Sequence, residues 1–196
     1  MGRVATVVLT LAWHGAAPGF AAGAEFNKRE YRLLATTKTS TMEKELNEAG
    51  AAGFRFDGVM GGDTAFGGQE VVAVVSRAAA GEAGTRRTYK LLATNKTGTM
   101  QKEMSEAAAT GFAYRGQTIA ETLFGGREVI IIMEREQPSV CREYKLLATN
   151  KTSTMQKELA EVADAGFTFS GVTVAKTSFG GNEVVVITER PASCPP

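Results

Sequence analysis

Histidine and cysteine are scarce in this chain of 196 residues, which contains one histidine, His14, and two cysteines, Cys141 and Cys194. Histidine is the commonest metal ligand and a frequent general base, so its absence after position 14 excludes the usual acid–base triads and histidine-containing zinc sites there. The chain also lacks the G-x-S-x-G, H-E-x-x-H and dinucleotide-binding patterns. We therefore expect no catalytic residue, no metal ion and no cofactor, and we leave enzymatic activity unassigned.

An excess of one charge is missing as well. The chain has 22 Lys and Arg residues against 21 Asp and Glu residues, and residues 1–24 contain one of the basic residues, Arg3, and no acid. Without residues 1–24 the chain is neutral, so it lacks the basic excess that drives binding to nucleic acid. We expect no nucleic-acid partner.

The N-terminal apolar run is too short to cross a membrane, which needs about 20 residues. Arg3 precedes the apolar residues 4–13, and small residues follow as far as Ala22-Gly23-Ala24. A basic start, a short apolar core and an A-x-A-like site are typical of a secretory signal peptide. The pattern predicts a cleaved signal over residues 1–24 and a periplasmic or extracellular protein without a transmembrane segment after cleavage.

Three copies of one pattern make up the rest of the chain. Residues 31–77, 89–135 and 144–190 align without a gap, whereas the linkers 78–88 and 136–143 differ in length and composition. Each copy opens with a Tyr-x-Leu-Leu-Ala-Thr strand and continues into a helix whose apolar stripe begins at Met42, Met100 or Met155. Serine three residues before Glu43 or Gln156 predicts a capping box at the helix start.

The second half of each copy predicts a hairpin of two strands. Gly53, Gly111 and Gly166 are expected to end the helices in the left-handed conformation. An aromatic alternation such as Phe54 and Phe56 follows, and then a last strand that is apolar on both faces. The fold class is therefore α+β, with three tandem βαββ repeats that each form a three-stranded sheet with one helix.

The doubly apolar last strand predicts how the units pack. Such a strand belongs in the centre of a sheet with both faces covered, and one helix per unit covers only one face. The second face must therefore be covered by another copy or by another molecule. We expect one compact assembly of the three units, and a homo-oligomer is compatible with this pattern.

A family resemblance rests on the strand Tyr31-Arg32-Leu33-Leu34 and the helix end Leu46 to Phe56. This pattern resembles a widespread uncharacterised bacterial family of small βαββ domains, with a Y-x-V strand, a helix ending in L-N-x-x-G-x-x-G-W and a closing hydrophobic strand. Phenylalanine stands here where that family usually has tryptophan, and the Phe-Gly-Gly hairpin is not part of the family pattern. The resemblance covers about one unit at a time and implies a fold but no activity.

The two cysteines flank the third copy. If the last strand lies between the first two and runs antiparallel to the first, Cys141 and Cys194 are neighbours and can form a disulfide, which export permits. In the chain-entropy model this crosslink stabilises the third unit by about 4 kcal/mol. The alternative is a reactive or redox pair, but the C-x-x-C spacing is missing.

Two repeated features are candidate binding sites. Hydroxyl groups and a lysine collect at each helix start, where an anion or acidic ligand would be favoured by the helix dipole, although capping alone also explains them. The candidate anion-binding residues are Lys38, Thr39, Ser40, Lys96, Thr97, Lys151, Thr152 and Ser153. The hairpin residues Phe66, Phe124 and Phe179 are candidate contact tips, unless each folds back over its own core.

Repeated carboxylates could act as acids and bases or bind calcium. They are Glu45, Glu103 and Glu158 on the helices and Glu70, Glu128 and Glu183 on the last strands. Their charge partners, including Arg77, Arg135 and Arg190, are repeated too, which favours solvated or cross-strand ion pairs. The sequence thus predicts an exported, non-catalytic binding or assembly protein whose partner is an unknown protein or small ligand. The alternative is a receptor for a small anion or acidic ligand at the helix starts.

Overall fold

Each sequence copy folds as one strand–helix–strand–strand unit in a computed structural model, which describes residues 28–65, 68–78, 85–121, 127–176 and 181–194. Unit 1 contains β1 (Arg29–Thr36), α1 (Thr39–Ala51), β2 (Arg55–Thr64) and β3 (Gly68–Ala78). Unit 2 contains β4 (Arg87–Thr94), α2 (Thr97–Ala109), β5 (Ala113–Glu121) and β6 (Arg127–Glu136). Unit 3 contains β7 (Arg142–Thr149), α3 (Thr152–Asp164), β8 (Thr168–Lys176) and β9 (Asn182–Pro191).

The last strand of each unit lies in the middle of an antiparallel three-stranded sheet, as its apolar character predicts. The strand orders are β1-β3-β2, β4-β6-β5 and β7-β9-β8. In unit 1, for example, Ala73 of the central strand lies opposite Leu34 on one side and Val59 on the other. The predicted α+β class with three repeated units is confirmed.

The helix of each unit packs on its own sheet through the predicted apolar stripe. Met42, Leu46 and Ala49 of α1 are buried together with Phe54, which follows the helix. The three helices end at Gly53, Gly111 and Gly166, whose φ angles of 82°, 86° and 82° lie in the left-handed region. Glycine adopts this conformation without the steric cost that a Cβ atom brings.

A repeated arginine joins the helix end to the sheet. In unit 1 the guanidinium of Arg77 lies 4.5 Å from the centre of the Phe54 ring and donates a 2.9 Å hydrogen bond to the carbonyl of Ala52. It also forms a 2.7 Å cross-strand ion pair with Glu30. Arg190 of unit 3 repeats the arrangement with Phe167, Ala165 and Glu143. Arg77 and Arg190 thus make cross-strand ion pairs, but each pairs with an acid of the first strand and not with one of the repeated glutamates that the sequence pattern predicted as their charge partners.

The capping-box prediction is wrong. The helices begin at Thr39, Thr97 and Thr152, each after a lysine in extended conformation, and no side chain caps these starts. Instead, the chain turns because the hydroxyl of Thr36 accepts a 3.2 Å hydrogen bond from the amide of Lys38, and the same bond recurs in units 2 and 3. The side chain of Glu43 therefore does not cap α1, and its hydrogen bond is made elsewhere.

The units stack in sequence order. We call the sheet face that carries the unit's own helix the front face, and the opposite one the back face. The front face of unit 1, with Val71 and Val75, is buried by α1 and by the back face of unit 2, which contributes Tyr89, Ile130 and Ile132. The front face of unit 2 is buried by α2 and by the back face of unit 3. The central strand of unit 2 is therefore covered on both faces by its neighbours, as predicted.

The predicted disulfide between Cys141 and Cys194 is present, with the two Cα atoms 5.0 Å apart. Cys141 precedes β7 and Cys194 follows β9, and the antiparallel pairing of these strands brings the two residues together. The amide of Ala192 donates a 3.0 Å hydrogen bond to the carbonyl of Cys141 at the same point. None of the described helices is long and apolar enough to cross a membrane.

Candidate functional site

The junction between two units is built around the free edge of the second unit's first strand. At the junction of units 2 and 3, the side-chain amide of Gln101 on α2 lies alongside β7. It donates to the carbonyl of Tyr144 and accepts from the amide of Leu146, both at 2.8 Å. An unpaired strand edge is a template for unwanted pairing, and here a helix side chain occupies its hydrogen-bonding groups.

At the junction of units 1 and 2, two side chains of α1 bind the free edge of β4. Asn47 exchanges two 2.9 Å hydrogen bonds with the backbone of Tyr89, one as donor and one as acceptor. The carboxylate of Glu43 accepts a 2.8 Å hydrogen bond from the amide of Leu91. The capping-box interpretation missed this role because Glu43 and Gln101 satisfy backbone amides of the next unit, and only the packing of the units shows which amides those are.

A tyrosine anchors each junction from the other side. The hydroxyl of Tyr89 donates a 2.7 Å hydrogen bond to Glu134 in its own unit and accepts a 2.9 Å bond from the amide of Phe56 in unit 1. The hydroxyl of Tyr144 accepts a 2.6 Å bond from the amide of Tyr114 in unit 2. Burial, and then the nearby glutamate, raises the pKa of both tyrosines well above their usual range.

The carboxylate beside Tyr89 is itself buried. Glu134 lies 2.9 Å from the guanidinium of Arg115 and 3.7 Å from that of Arg87. A buried carboxylate is tolerated only when it is paired and hydrogen-bonded, and Glu134 meets both conditions. This group therefore fixes the position of the tyrosine, and its charge is already compensated within unit 2.

An aromatic ring of one unit fills a glycine slot in the next. A Cβ atom built on Gly116 of unit 2 would lie 3.2 Å from the Phe56 ring of unit 1. One built on Gly171 of unit 3 would lie 2.4 Å from the hydroxyl of Tyr114 in unit 2. The ring of the preceding unit lies against the backbone at both positions, so a larger side chain there would have to displace that ring.

The predicted anion-binding residues lie at the three helix starts and do not converge on one point. Lys38, Thr39 and Ser40 line a cavity of about 740 Å³ between units 1 and 2 that also contains Glu121 and Glu128. Thr97 donates a hydrogen bond to Glu183 of unit 3. The start of α3, with Lys151, Thr152 and Ser153, is exposed and has no following unit. Phe66, Phe124 and Phe179, the predicted contact tips, lie outside the described residues.

The stack has two open ends, because the first back face and the last front face have no neighbouring unit. We call the exposed Tyr31, Leu33 and Met60 on the back face of unit 1 the head surface. The tail surface is the exposed part of the unit 3 front face, formed by Phe169, Val172, Val174 and Val184. Among the described residues these two surfaces hold the exposed large hydrophobic side chains, with Val140 as the one exception.

The exposure of equivalent residues shows that the ends are uncovered copies of the internal junctions. Tyr31 is 64% exposed, whereas Tyr89 and Tyr144 at the same position of the repeat are 2% and 3% exposed. Val184 is 42% exposed, and its equivalents Val71 and Val129 are 3% and 2% exposed. Exposed apolar clusters of this kind mark interaction sites in soluble proteins.

Comparison with protein-family models, with curated proteins and with solved structures found no significant match. Within the described residues, no three histidine, cysteine, aspartate or glutamate side chains are grouped so that they could hold a metal ion.

Proposed function

We propose that this chain is an exported, non-catalytic protein that acts by binding and assembly through its head and tail surfaces. One observation carries the proposal: the exposed large hydrophobic side chains of the described residues are concentrated at the two ends of the stack. Exposing such groups to water is unfavourable, and equivalent residues inside the stack are buried by a neighbouring unit. The sequence supports the non-catalytic part, since residues 25–196 contain no histidine.

Site-specific photo-crosslinking in an exporting bacterial host tests this proposal. A photoreactive amino acid is placed at Leu33 on the head surface, at Phe169 on the tail surface, and at the control position Lys102, which is exposed on α2. We expect protein adducts from the two end positions and none above background from position 102. Equal adduct yields at all three positions would contradict the proposal.

Export is supported by the N-terminal pattern of residues 1–24 and is compatible with the disulfide between Cys141 and Cys194. The measurement is cell fractionation followed by N-terminal sequencing and thiol titration. We expect a processed chain that begins near Glu25, is found outside the cytoplasm and contains no free thiol. A full-length, reduced chain in the cytoplasm would exclude export.

A receptor for a small anion or acidic ligand is the second candidate. Its support is the cavity that contains Lys38, Thr39 and Ser40 at the start of a helix. It ranks second because Glu121 and Glu128 line the same cavity and lower its positive potential. A ligand of the native state must raise the melting temperature, so phosphate, sulfate and acidic sugars are added in turn at constant ionic strength. A shift that is lost in Lys38→Ala would favour the receptor.

A further inference from the structure

The tail surface repeats the side chains with which the front faces of units 1 and 2 contact the next unit along the chain. Each front face offers one aromatic side chain on the second strand, and these are Phe56, Tyr114 and Phe169. The first two contact the following unit, whereas Phe169 is exposed. Val184 is likewise the exposed equivalent of the buried Val71 and Val129. The tail surface therefore repeats the aromatic and valine positions of the other two front faces, and no unit lies on it.

The head surface contains the matching slot. Phe56 lies against Gly116 and Tyr114 lies against Gly171, so the third glycine of this series is Gly58 in unit 1. A Cβ atom built on Gly58 meets no heavy atom within 4 Å. The slot that an aromatic ring fills in units 2 and 3 is thus open in unit 1, and Phe169 is the one aromatic of the series that lies against no following unit.

The hydrogen-bonding groups of the two ends also correspond. Gln156 on α3 stands at the position of Gln101, which clamps the next unit's edge strand, and its side chain is exposed. The backbone that it would clamp belongs to Tyr31 and Leu33 of β1, both exposed. Differences are also present: Ser76 replaces the glutamate that Tyr89 binds in unit 2, and it is already bonded to Arg29. Tyr31 would therefore lack the glutamate partner that Tyr89 and Tyr144 have in their own units, and the amide of Phe169 would supply its hydroxyl partner, as the amide of Tyr114 does for Tyr144. Val172 stands at the position of Gln117, whose side chain donates a hydrogen bond across the junction of units 2 and 3, and it has no donor to replace it.

We propose that the partner of these surfaces is a second copy of this chain, bound head to tail, with the tail surface of one molecule on the head surface of the next. This inference rests on the proposed function, because it identifies what covers the two ends. The new junction would repeat the junction of units 2 and 3, with Gln156 clamping β1 and Phe169 in the Gly58 slot. Such an interface uses two different surfaces, so it builds either a closed ring or an open filament that keeps one free surface at each end.

Two blocked variants of the mature chain test the proposal by sedimentation velocity and light scattering over a concentration series. Gly58→Leu fills the head slot, where an added Cβ atom meets no heavy atom of the free chain within 4 Å. Val184→Glu places a charge on the tail surface at a position that is exposed in the free chain. We expect the unmodified chain to form oligomers that grow with concentration, and each variant to associate at least about tenfold more weakly.

Mixing the two variants is the decisive measurement. Gly58→Leu keeps an intact tail surface and Val184→Glu keeps an intact head surface, so an equimolar mixture is expected to form a heterodimer and nothing larger. Non-specific association of apolar surfaces would not stop at a heterodimer. Val140→Glu removes an exposed hydrophobic side chain that belongs to neither end, and it should associate like the unmodified chain.

Three results would overturn the head-to-tail proposal: an unmodified chain that stays monomeric up to millimolar concentration, a mixture without heterodimer, or end crosslinks that contain only a foreign protein. The last result would leave the proposed function standing, whereas a lack of end crosslinks would remove both. Melting curves of each variant show that it is folded. Leu33→Glu and Phe169→Ser are the replacement head and tail variants if either first choice fails to fold.

Discussion

At the scale of single residues, one tyrosine occupies the same repeat position three times in two environments. Tyr89 and Tyr144 are buried under the preceding unit, and Tyr31 has no preceding unit and is exposed. The difference arises from position in the stack alone, since the flanking residues of the three strands are nearly identical. Each buried hydroxyl joins the sheets of two units through a hydrogen bond to a backbone amide.

Tyr89→Phe is expected to destabilise the monomer by about 1–3 kcal/mol. The substitution removes a hydroxyl that is hydrogen-bonded to the amide of Phe56 and to Glu134, so both groups are left buried without this partner. Tyr31→Phe is the matched control and should change the free energy of unfolding by less than about 0.5 kcal/mol. Denaturant unfolding at a concentration where the chain is monomeric measures both values. Equal effects of the two substitutions would show that the junction hydrogen bond contributes nothing.

The buried tyrosines also predict a loss of stability in alkali. Burial raises the pKa of Tyr114 to about 12, and the pKa values of Tyr89 and Tyr144 are raised as well, from an ordinary value of 10.0. The native state therefore keeps protons that the unfolded chain loses above pH 10, so these residues stabilise the fold fully below pH 10 and progressively less above it.

The predicted slope is at most about 1.4 kcal/mol per pH unit for each such tyrosine, or at most about 4 kcal/mol per unit for the three, and it is reached near pH 11, where the unfolded chain has lost these protons and the native state keeps most of them. Tyr114→Phe should reduce this slope by about one third. Denaturant unfolding of the unmodified protein and of Tyr114→Phe at several pH values from 8 to 11.5 provides the measurement. A free energy of unfolding that does not fall above pH 10 would contradict the burial of these hydroxyls.

At the scale of secondary-structure elements, each of the helices α1 and α2 stabilises two sheets. Its apolar stripe packs on its own unit, and a polar side chain on another face binds the edge strand of the next unit. Gln101→Ala is expected to cost about 1–3 kcal/mol, since the carbonyl of Tyr144 and the amide of Leu146 lose their partner. The matched control is Gln156→Ala in monomeric protein, where the same substitution removes an exposed side chain.

Hydrogen exchange separates these two variants at single-residue resolution. The amide of Leu146 should exchange faster in Gln101→Ala, in proportion to the lost stability of the junction, and at the original rate in Gln156→Ala. Unchanged protection of Leu146 in Gln101→Ala would mean that β7 is held by its pairing with β9 alone.

The elements themselves were predictable because their signals are local. Glycine at the helix ends, the apolar stripe from Met42 to Ala49 and the doubly apolar last strand each depend on a few neighbouring residues. The disulfide followed from one further inference, the central position of the last strand. The helix starts were predicted wrongly at Ser40 and Ser153, because the turn is made by a threonine two residues before the lysine.

The binding surfaces could not be predicted in the same way. Phe169 and Val184 have nearly the same sequence environment as their equivalents in unit 1, the partly buried Phe56 and the buried Val71, so no local pattern distinguishes an end of the stack from its middle. The roles of Glu43, Asn47 and Gln101 depend on which strand lies beside the helix, and this is settled by packing between units. The candidate anion-binding residues Lys38 and Thr39 lie at the start of α1, and the acids Glu121 and Glu128 that line the same cavity come from a different unit, which sequence spacing does not indicate.

At the scale of the whole molecule, the three units form a stack in which each unit contacts its neighbours in sequence. Stability in such a chain is approximately the sum of unit terms and junction terms. The junctions are not equal: Gly50 of α1 lies so close to unit 2 that an added Cβ atom would be 2.4 Å from the carbonyl oxygen of Arg87. A backbone atom cannot move aside as a flexible side chain can, so a methyl group at position 50 must push the first two units apart.

Gly50→Ala is therefore expected to weaken the first junction by about 1–3 kcal/mol, even though glycine to alanine in a helix normally stabilises by up to about 1 kcal/mol. Gly98→Ala is the matched control, because a Cβ atom there meets nothing within 4 Å and should be neutral or stabilising. Hydrogen exchange of peptides from each unit should show unit 1 opening first in Gly50→Ala, with units 2 and 3 as protected as before. If all three units lose protection together, the stack unfolds as one cooperative body, and the junctions must be stronger than the units that they join.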